Sequence, residues 1–180
     1  ASDADAIVDG QGNGAQMGEA LSYTDDLDGD GLGDLLVGAP KRNLVSTTER
    51  GAAYLVSTLV TAGIAEVADA EFRGETDYAH FGSTVAGLGT LASDGAHGIA
   101  IGAPDAGNGA VYVFTGPFEG SLNQSMAAGV VSGSSAGDAF GATLLSGVDY
   151  DEDGQLDLFV GAPGVEASKG RVYVLLGGAL

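Results

Sequence analysis

The 180-residue sequence has no cysteine, no apolar run long enough to cross a membrane, and no signal peptide. Because cysteine is absent, no disulfide argues for an oxidising compartment, and none argues against one. A capped stretch with a 3.6-residue apolar period is also missing. The sequence therefore has the character of a mature or excised piece of an all-β protein.

Basic residues are scarce as well: six Lys and Arg stand against 25 Asp and Glu, and the formal net charge is −19. This charge disfavours binding to nucleic acid or to an anionic membrane, and it suits a soluble protein in an extracellular or high-salt setting. Apolar residues make up 44% of the chain, which is enough for a real core. We therefore predict a single domain over residues 1–180.

Glycine, by contrast, occurs 32 times and marks a unit that is repeated three times. The units open with an apolar residue followed by glycine, at Met17-Gly18, Phe81-Gly82 and Phe140-Gly141. The first half of each unit closes with Gly-Ala-Pro, at residues 38–40, 102–104 and 161–163. A further glycine stands seven residues before each opening, at Gly10, Gly74 and Gly133.

The repeating unit consists of four strand-like segments. Strand A follows the opening glycine, strand B runs into Gly-Ala-Pro, strand C contains Tyr54, Tyr112 or Tyr173, and strand D ends at the glycine before the next opening. Residues 62–70 have a helical composition, but their position in the repeat predicts a loop and a strand. Such a repeat indicates a β-propeller built from four-stranded blades. The predicted repeats are residues 17–74, 81–133 and 140–180.

The predicted strand order has two irregular ends. One strand D stands alone before the first repeat, and the third repeat has strands A to C but no strand D. Residues 6–9 read as a lone strand D, and the third repeat stops after strand C. Propellers typically have about four to eight blades, so three blades do not close a ring. We predict a two-fold homodimer of six blades, in which residues 6–9 of each copy complete the last blade of the partner. The alternative is an excised part of a longer propeller.

Two of the three units carry the same nine-residue acidic loop, 26–34 and 149–157. Carboxylates this close repel one another unless a multivalent cation lies between them, and flexible oxygen coordination suits Ca²⁺. Gly31 and Gly154 fit the sharp turn, because a positive φ is costly for a residue with a Cβ. The predicted ligands of two Ca²⁺ ions per chain are Asp26, Asp28, Asp30, Asp34 and the Leu32 carbonyl, and Asp149, Asp151, Asp153, Asp157 and the Gln155 carbonyl.

Three other interpretations of these loops compete with calcium. An EF-hand has helical flanks and a bidentate Glu at its twelfth position, where these loops have Val37 and Val160. Mg²⁺ prefers small rigid octahedral sites and retains its waters. The loops could also be solvated turns, but two copies in the same register argue against that. The middle unit keeps only Asp94 of the four acids, so we assign it no metal.

The openings and Gly-Ala-Pro tripeptides of the second and third units resemble the FG-GAP repeats of the integrin alpha-subunit propeller. The acidic loops are similar to that family's calcium loops, which lie between strands A and B, and the resemblance covers nearly the whole chain. Met17 in place of phenylalanine and the acid-poor middle unit depart from the family pattern. The integrin propeller also has seven blades, whereas this chain encodes three.

In the resembled family, the B–C and D–A loops share one face that receives ligands, and the calcium loops lie on the other face. The first B–C loop holds three of the six basic residues of the chain. With the next D–A loop, the resemblance predicts a ligand face formed by Lys41, Arg42, Arg50, Asp77, Tyr78 and His80. A solvated hairpin tip that binds nothing is an equally simple interpretation.

The sequence offers little for catalysis. His80 and His97 fall in different loops, and no nucleophile-elbow motif is present. We therefore predict a non-enzymatic, calcium-binding propeller module for extracellular protein or glycan interaction and adhesion, secreted or at the cell surface where calcium is abundant. Its predicted partners are a second copy and an unidentified protein or glycan. The alternative is an accessory or catalytic part of a secreted hydrolase, because FG-GAP repeats also occur in a phospholipase D family.

Overall fold

The computed structural model describes residues 7–10, 12–43, 48–57, 64–65, 69–91 and 95–180. These residues form an all-β structure of several sheets, as the sequence predicts. The strands are β1 (Ile7–Val8), β2 (Ala20–Tyr23), β3 (Leu35–Ala39), β4 (Ala52–Val56), β5 (Ile64–Ala65), β6 (Ala70–Arg73), β7 (Thr84–Thr90), β8 (His97–Ala103), β9 (Ala110–Thr115), β10 (Gly120–Asn123), β11 (Gly129–Ser132), β12 (Thr143–Val148), β13 (Asp157–Ala162) and β14 (Arg171–Leu175).

The first two repeats fold as antiparallel blades with the predicted strand order. Strands A to D are β2, β3, β4 and β6 in blade 1, and β7, β8, β9 and β11 in blade 2. Blade 3 has strands A to C only, as β12, β13 and β14. Among the described residues, no strand pairs with the outer edge of β14.

The segments that lead into strand A of blades 2 and 3 each require a glycine, where the chain passes close to the opening phenylalanine. A Cβ added to Gly74 would lie 2.8 Å from the Phe81 Cβ, and one added to Gly133 would lie 3.0 Å from the Phe140 Cβ. These separations are shorter than the contact distance of two non-bonded carbon atoms. The glycine seven residues before each opening therefore lets the chain leave one blade and enter the next without a collision.

Two apolar clusters hold the three blades together. Between blades 1 and 2, Phe72 packs edge-on against Phe114 with their ring centroids 5.1 Å apart, and Phe81 is fully buried beside them. Between blades 2 and 3, the buried side chains of Leu158 and Val160 belong to a second cluster. Side chains alternate between the two faces of each strand, so every blade contributes to the cluster on each of its packed sides.

Three strands fall outside the A-to-D pattern. β10 lies between strands C and D of blade 2, yet it pairs in parallel with β6 and extends blade 1 to five strands. β5 lies between strands C and D of blade 1 and pairs in parallel with β1. β1 is the described part of the strand predicted at residues 6–9; residue 6 lies outside the described residues. Val8 packs with Met17 on the outer face of blade 1, which is the face that points away from blade 2.

In the part of the chain that the structure describes, helical structure is confined to short turns, two of them 3₁₀ turns at Gln124–Met126 and Gly177–Ala179. A four-residue helical turn at Val165–Ser168 follows the third Gly-Ala-Pro. Of the segment 62–70, the structure describes residues 64–65 and 69–70, which contain β5 and the start of β6, so no helix was found there. Within the described ranges, no helix has the length and apolar character needed to cross a membrane.

Candidate metal centres and loop face

The first acidic loop joins β2 to β3 and gathers carboxylates from both of its ends. One oxygen each from Asp26, Asp28 and Asp34 lies within 4.8 Å of the others. The loop's own backbone positions Asp26, because the N–H groups of Gly29 and Gly31 donate to its two oxygens at 2.6 and 2.8 Å. The Gly31 hydrogen bond is the main reason that the pKa of Asp26 is lowered. The Asp26 carboxylate is therefore held ionised and aimed into the loop.

Asp34 is the buried member of this group, with only 1% of its surface exposed. Its Oδ2 accepts the Leu27 N–H at 2.7 Å, whereas its Oδ1 has no hydrogen-bond partner among the described residues. Burial, together with the charges of the neighbouring Asp28 and Asp26, raises the pKa of Asp34. An unpaired buried acceptor costs about 1–3 kcal/mol. A cation facing Oδ1 would remove this cost, so the residues present fit a bound divalent ion.

The second acidic loop joins β12 to β13 and has the same plan. Oxygens of Asp149, Asp151 and Asp153 lie within 4.8 Å of one another. The Gly154 N–H donates to Asp149 at 2.8 Å, and the Gln155 N–H donates to Asp153 at 2.8 Å. The two loops therefore use the same backbone-to-carboxylate hydrogen bonds to collect their acids.

The backbone turn is also shared, although the residues that make it differ. Gly29 and Gly31 have φ values of 87° and 86°, in the left-handed region. In the second loop the same positions are Glu152 and Gly154, with φ values of 62° and 93°. A left-handed conformation costs a residue with a Cβ about 1–2 kcal/mol. Glu152 adopts it nonetheless, so the loop path is imposed by more than glycine alone.

The last aspartate of the second loop differs from Asp34 in its partners. Asp157 is fully buried, and its Oδ2 accepts the Tyr150 N–H at 2.6 Å. Its Oδ1 accepts the Gly177 N–H at 2.8 Å, and this bond is the main cause of the lowered pKa of Asp157. Both Asp157 oxygens are thus satisfied by the backbone. Asp157 ties the loop to the turn that follows β14, whereas Asp34 keeps one oxygen free.

The remaining predicted ligands lie in the loops but outside the two groups of three. Asp30 accepts the Leu32 N–H at 2.7 Å, and Asp157 bonds as described above. The prediction used the Gln155 carbonyl and missed its side chain, whose Oε1 is buried without a partner in the described part of the chain. Asp94, the one acid kept by the middle loop, lies outside the described residues. The acids that the structure does describe form no third group.

The residues predicted for the ligand face lie in the loops at the opposite strand ends, and three of them form ion pairs between loops. Arg50 Nε donates to Asp77 Oδ1 at 2.6 Å, joining the first B–C loop to the following D–A loop. His80 lies between two carboxylates, with Nε2 at 2.8 Å from Glu49 and Nδ1 at 2.6 Å from Asp105. Glu49 belongs to blade 1 and Asp105 to blade 2, so the imidazole bridges two blades.

The other three predicted residues are placed differently. Arg42 is turned onto the outer face of blade 1, where its Nε donates to the Tyr54 hydroxyl at 3.0 Å and only 16% of its side chain is exposed. Lys41 lies close enough to Glu49 for its charge to lower the pKa of that carboxyl, after the larger effect of the His80 hydrogen bond. Tyr78 is exposed and has a left-handed φ of 57°.

Glu49 and Asp105 were missed by the sequence prediction. Asp105 directly follows the second Gly-Ala-Pro, the position that Lys41 holds after the first, so alignment of the repeats could have found it. Glu49 carries no comparable signal, because it is one acid in a loop of variable length. Its pairing with His80 depends on how two blades pack.

Protonation of His80 is expected to stabilise the contact between blades 1 and 2. Burial alone would lower its pKa, but the hydrogen bonds to Glu49 and Asp105 outweigh burial and raise the pKa above 6.5. Since the folded-state pKa is raised, this stabilisation is fully present below pH 6.5 and is lost as the pH rises through the folded-state value. The free energy of unfolding should therefore fall over that range, and His80→Gln should remove the fall.

Urea titrations in saturating calcium, from about pH 5.5 to 8.5, measure this dependence across the range in which histidine titrates. The matched control is His97→Gln, which removes the other histidine but keeps the contacts of His80 with Glu49 and Asp105, so the fall in stability that depends on those contacts should persist. Identical pH profiles for the unmodified protein and His80→Gln would contradict the assignment.

Neither histidine has a catalytic arrangement in the residues that the structure describes. Both ring nitrogens of His80 face carboxylates, and the nearby Ser83 hydroxyl donates to the His80 main-chain carbonyl at 2.8 Å. A serine nucleophile needs a free ring nitrogen as its base. His97 stands at the start of β8, and its Nδ1 is buried with no partner among the described residues. The geometry thus offers no activated nucleophile at either position.

Comparison with known proteins places the repeats in a family. The sequence profile of the FG-GAP repeat matches residues 17–56 and 140–175, which contain the two acidic loops. Integrin alpha-PS5 of Drosophila melanogaster is 36% identical over 163 residues, covering 86% of this chain and 16% of that protein. Integrin alpha-IIb of Mus musculus is 36% identical over 171 residues, covering 91% of this chain and 16% of that protein.

Integrin alpha-4 of Xenopus laevis is also 36% identical, over 158 residues that cover 83% of this chain and 14% of that protein. The chain thus spans about one sixth of the length of these relatives. The matches to these relatives cover most of the chain, and the profile matches contain both acidic loops. The chain is therefore an FG-GAP repeat protein related to the integrin alpha subunits.

Proposed function

We propose that this chain is a calcium-stabilised, non-enzymatic propeller module that presents its loop face to an extracellular protein or glycan. The observation that carries the proposal is the buried Oδ1 of Asp34, which has no partner among the described residues, in an aspartate that is grouped with Asp26 and Asp28. One ion would be held in each loop, by the grouped aspartates together with Asp30, Asp157 and the carbonyls of Leu32 and Gln155. No step of the function requires catalysis by the chain.

Calcium suits these loops better than magnesium. Three of the six grouped aspartates are exposed, so water can complete an irregular shell of six to eight oxygens around an ion held by their carboxylates. Mg²⁺ demands a near-ideal octahedron and dehydrates reluctantly. The ion would hold together acids that otherwise repel one another.

The setting follows from the cation and from the relatives. Exposed loop sites of extracellular modules bind Ca²⁺ with dissociation constants of about 10⁻⁴–10⁻³ M, which suits a protein that is secreted or at the cell surface. The relatives are named as integrin alpha subunits, which supports an adhesion-type interaction. The face formed by Arg50, Asp77, His80 and Asp105 carries both signs of charge, as a surface for polar protein or glycan groups would.

Chelation is expected to lower the melting temperature, because an ion that binds only the folded state at 100 times its dissociation constant adds about 2.7 kcal/mol per site. Calorimetric titration should give two Ca²⁺ per chain, and Asp28→Ala and Asp151→Ala should each remove one while leaving the fold near intact. Ser22→Ala, on the neighbouring strand and outside both loops, is the control. A melting temperature unchanged by EDTA would contradict the calcium proposal.

The hydrolase alternative is tested separately. Esterase and phosphodiesterase substrates should be turned over no faster by the protein than by its His80→Gln variant, since neither nitrogen of His80 is free to act as a base. Turnover that disappears in this variant would overturn the non-enzymatic part of the proposal. Association of two copies, predicted from the strand order, remains part of the proposed module.

A further inference from the structure

Each acidic loop buries one side-chain oxygen that has no partner among the described residues, but the two oxygens stand at different positions of the loop. In the first loop it is Oδ1 of Asp34, at the ninth position. In the second loop it is Oε1 of Gln155, at the seventh position. A buried acceptor normally has a hydrogen-bond partner, so both oxygens need an explanation. One explanation should serve both, because the two loops share their backbone turn.

The aspartate at the ninth position of the second loop is already engaged in hydrogen bonds. Asp157 Oδ2 accepts the Tyr150 N–H at 2.6 Å, and its Oδ1 accepts the Gly177 N–H at 2.8 Å. Asp34 also accepts one N–H through Oδ2, but its Oδ1 has no partner in the described part of the chain. Accordingly, Asp34 belongs to the group of carboxylates in its loop, and Asp157 does not belong to the group in its own. The second loop therefore lacks the free carboxylate oxygen that the first loop has at this position.

The seventh position of the loops shows the opposite difference. In the first loop this position holds Leu32, which is exposed and has no oxygen in its side chain. In the second loop it holds Gln155, which is partly buried and does have one. The second loop thus has a free side-chain oxygen at its seventh position and an engaged aspartate at its ninth. The first loop has no side-chain oxygen at its seventh position and a free one at its ninth.

The side-chain amide of Gln155 lies beside one of the grouped carboxylates. A Cβ added to Gly178 would lie 2.7 Å from Asp153 Oδ2 and 3.4 Å from Gln155 Nε2, so both side chains end next to the same residue of the turn after β14. The Gln155 N–H also donates to Asp153 Oδ1 at 2.8 Å. An amide has a donor end and an acceptor end. Its nitrogen is the favourable end beside bare carboxylates and its oxygen is the favourable end beside a cation, so a half-turn of the amide suits both states.

We propose that the side-chain oxygen of Gln155 is a ligand of the ion in the second acidic loop, and that it takes the place there that Asp34 has in the first loop. This inference rests on the proposed function, because it requires that the loops hold a cation. Glutamine side-chain carbonyls are among the oxygen ligands that Ca²⁺ accepts. Asp157 then serves as an anchor instead of a ligand, since its two hydrogen bonds tie the loop to the turn after β14 with or without an ion.

This assignment makes the two sites unequal in charge. The first site offers the four carboxylates of its loop, whereas the second offers three carboxylates and a neutral amide. The affinity of a calcium loop depends on the number of its charged ligands, so the second site should bind Ca²⁺ more weakly than the first. The anchor at Asp157 also holds the second loop without an ion. Removal of calcium should therefore loosen the first loop more than the second.

Calorimetric titration of the full chain with Ca²⁺ tests the assignment. Gln155→Leu removes the oxygen, nearly keeps the volume, and gives the second loop the residue that the first loop has at this position. It should raise the dissociation constant of the ion in the second loop about tenfold or more, a loss of the size that even outer partners of metal ligands produce. Gln155→Glu is the matched control, because it keeps an oxygen and adds a charge. This variant should bind the ion at least as tightly as the unmodified protein.

The Asp28→Ala background isolates the second site, because the first loop is then expected to hold no ion. In this background the titration should show a single Ca²⁺, and its dissociation constant should respond to Gln155→Leu and Gln155→Glu as stated above. If Gln155→Leu bound this ion as tightly as the background protein, the inference would be overturned and the proposed function would stand. If the unmodified chain bound no Ca²⁺ at all, both would be overturned.

Thermal melts with and without calcium distinguish a ligand from a residue that only packs in the loop. In EDTA the buried Oε1 of Gln155 has no hydrogen bond to lose among the described residues, so Gln155→Leu should melt no lower than the unmodified protein. In saturating calcium the same variant should melt lower, because its second site is weakened. An equal fall of the melting temperature in both conditions would assign the amide a packing role and overturn the inference.

Discussion

An Asp34→Asn variant is expected to lose the Ca²⁺ ion proposed for the first acidic loop, yet to be as stable as the unmodified protein in EDTA. Without calcium, Asp34 is a buried carboxylate with one oxygen unpaired among the described residues. The asparagine retains an oxygen for the Leu27 N–H and removes the charge that burial disfavours. In saturating calcium the variant should be less stable by about 2.7 kcal/mol, at an ion concentration 100 times the dissociation constant.

Asp157→Asn is the matched control, since it makes the same change in the second loop. Both Asp157 oxygens accept backbone N–H groups, so an amide nitrogen there would face a donor and leave it unpaired. This variant should lose about 1–3 kcal/mol in EDTA as well as in calcium. Thermal melts of both variants with and without calcium measure the difference. An equal loss of stability for the two variants in EDTA would contradict the distinction drawn between them.

Phe81→Ala should be the most damaging single truncation in the core, at about 3–5 kcal/mol. Phe81 is fully buried, its ring centroid lies 5.5 Å from that of Tyr112, and its N–H donates to the Arg50 carbonyl at 3.0 Å. The lost side chain would leave a cavity where blades 1 and 2 meet. For a chain of this length, we expect the melting temperature to fall by about 6–20 °C.

Phe81→Met is the control that the chain itself provides, because Met17 occupies the matching position in blade 1. A flexible side chain of similar volume should cost less than about 1.5 kcal/mol. Circular dichroism melts of the two variants give the comparison directly. If methionine proved as damaging as alanine, the position would depend on aromatic contacts, and the packing argument from volume would be wrong.

The blades could be predicted from the sequence because their signals are local and repeated. Each Gly-Ala-Pro, each opening glycine and each acidic loop recurs in register, so one unit explains the others. The sequence also indicates the need for glycine at Gly74 and Gly133, because each stands seven residues before an opening phenylalanine. The structure explains the need by the close approach of each glycine to that phenylalanine. The acids of each loop lie within nine residues, so their grouping needs no knowledge of the tertiary structure.

What the sequence did not reveal depends on contacts between segments that lie far apart in the sequence. β10 is a short, polar strand with no apolar alternation, and it forms because β6 offers an open edge. His80 meets Glu49 and Asp105 only because two loops from neighbouring blades approach each other. The different roles of Asp34 and Asp157 follow from the Gly177 N–H, which reaches the second loop from the end of the chain. Neither the spacing of residues nor the composition of the sequence indicates these contacts.

Because β10 pairs in parallel with β6, a sequence repeat and a folded blade do not contain the same strands. Counted along the sequence, β10 belongs to the second repeat, yet it lies on the edge of the first blade. Each strand D likewise continues into the blade that follows, through Gly74 or Gly133. Gain or loss of one whole repeat preserves the pairing of β10 with β6 and the passage of each strand D into the next blade. A break within a repeat would leave one segment without the sheet that it pairs with. In this chain, a change in the number of blades that keeps every sheet intact therefore has to add or remove whole repeats.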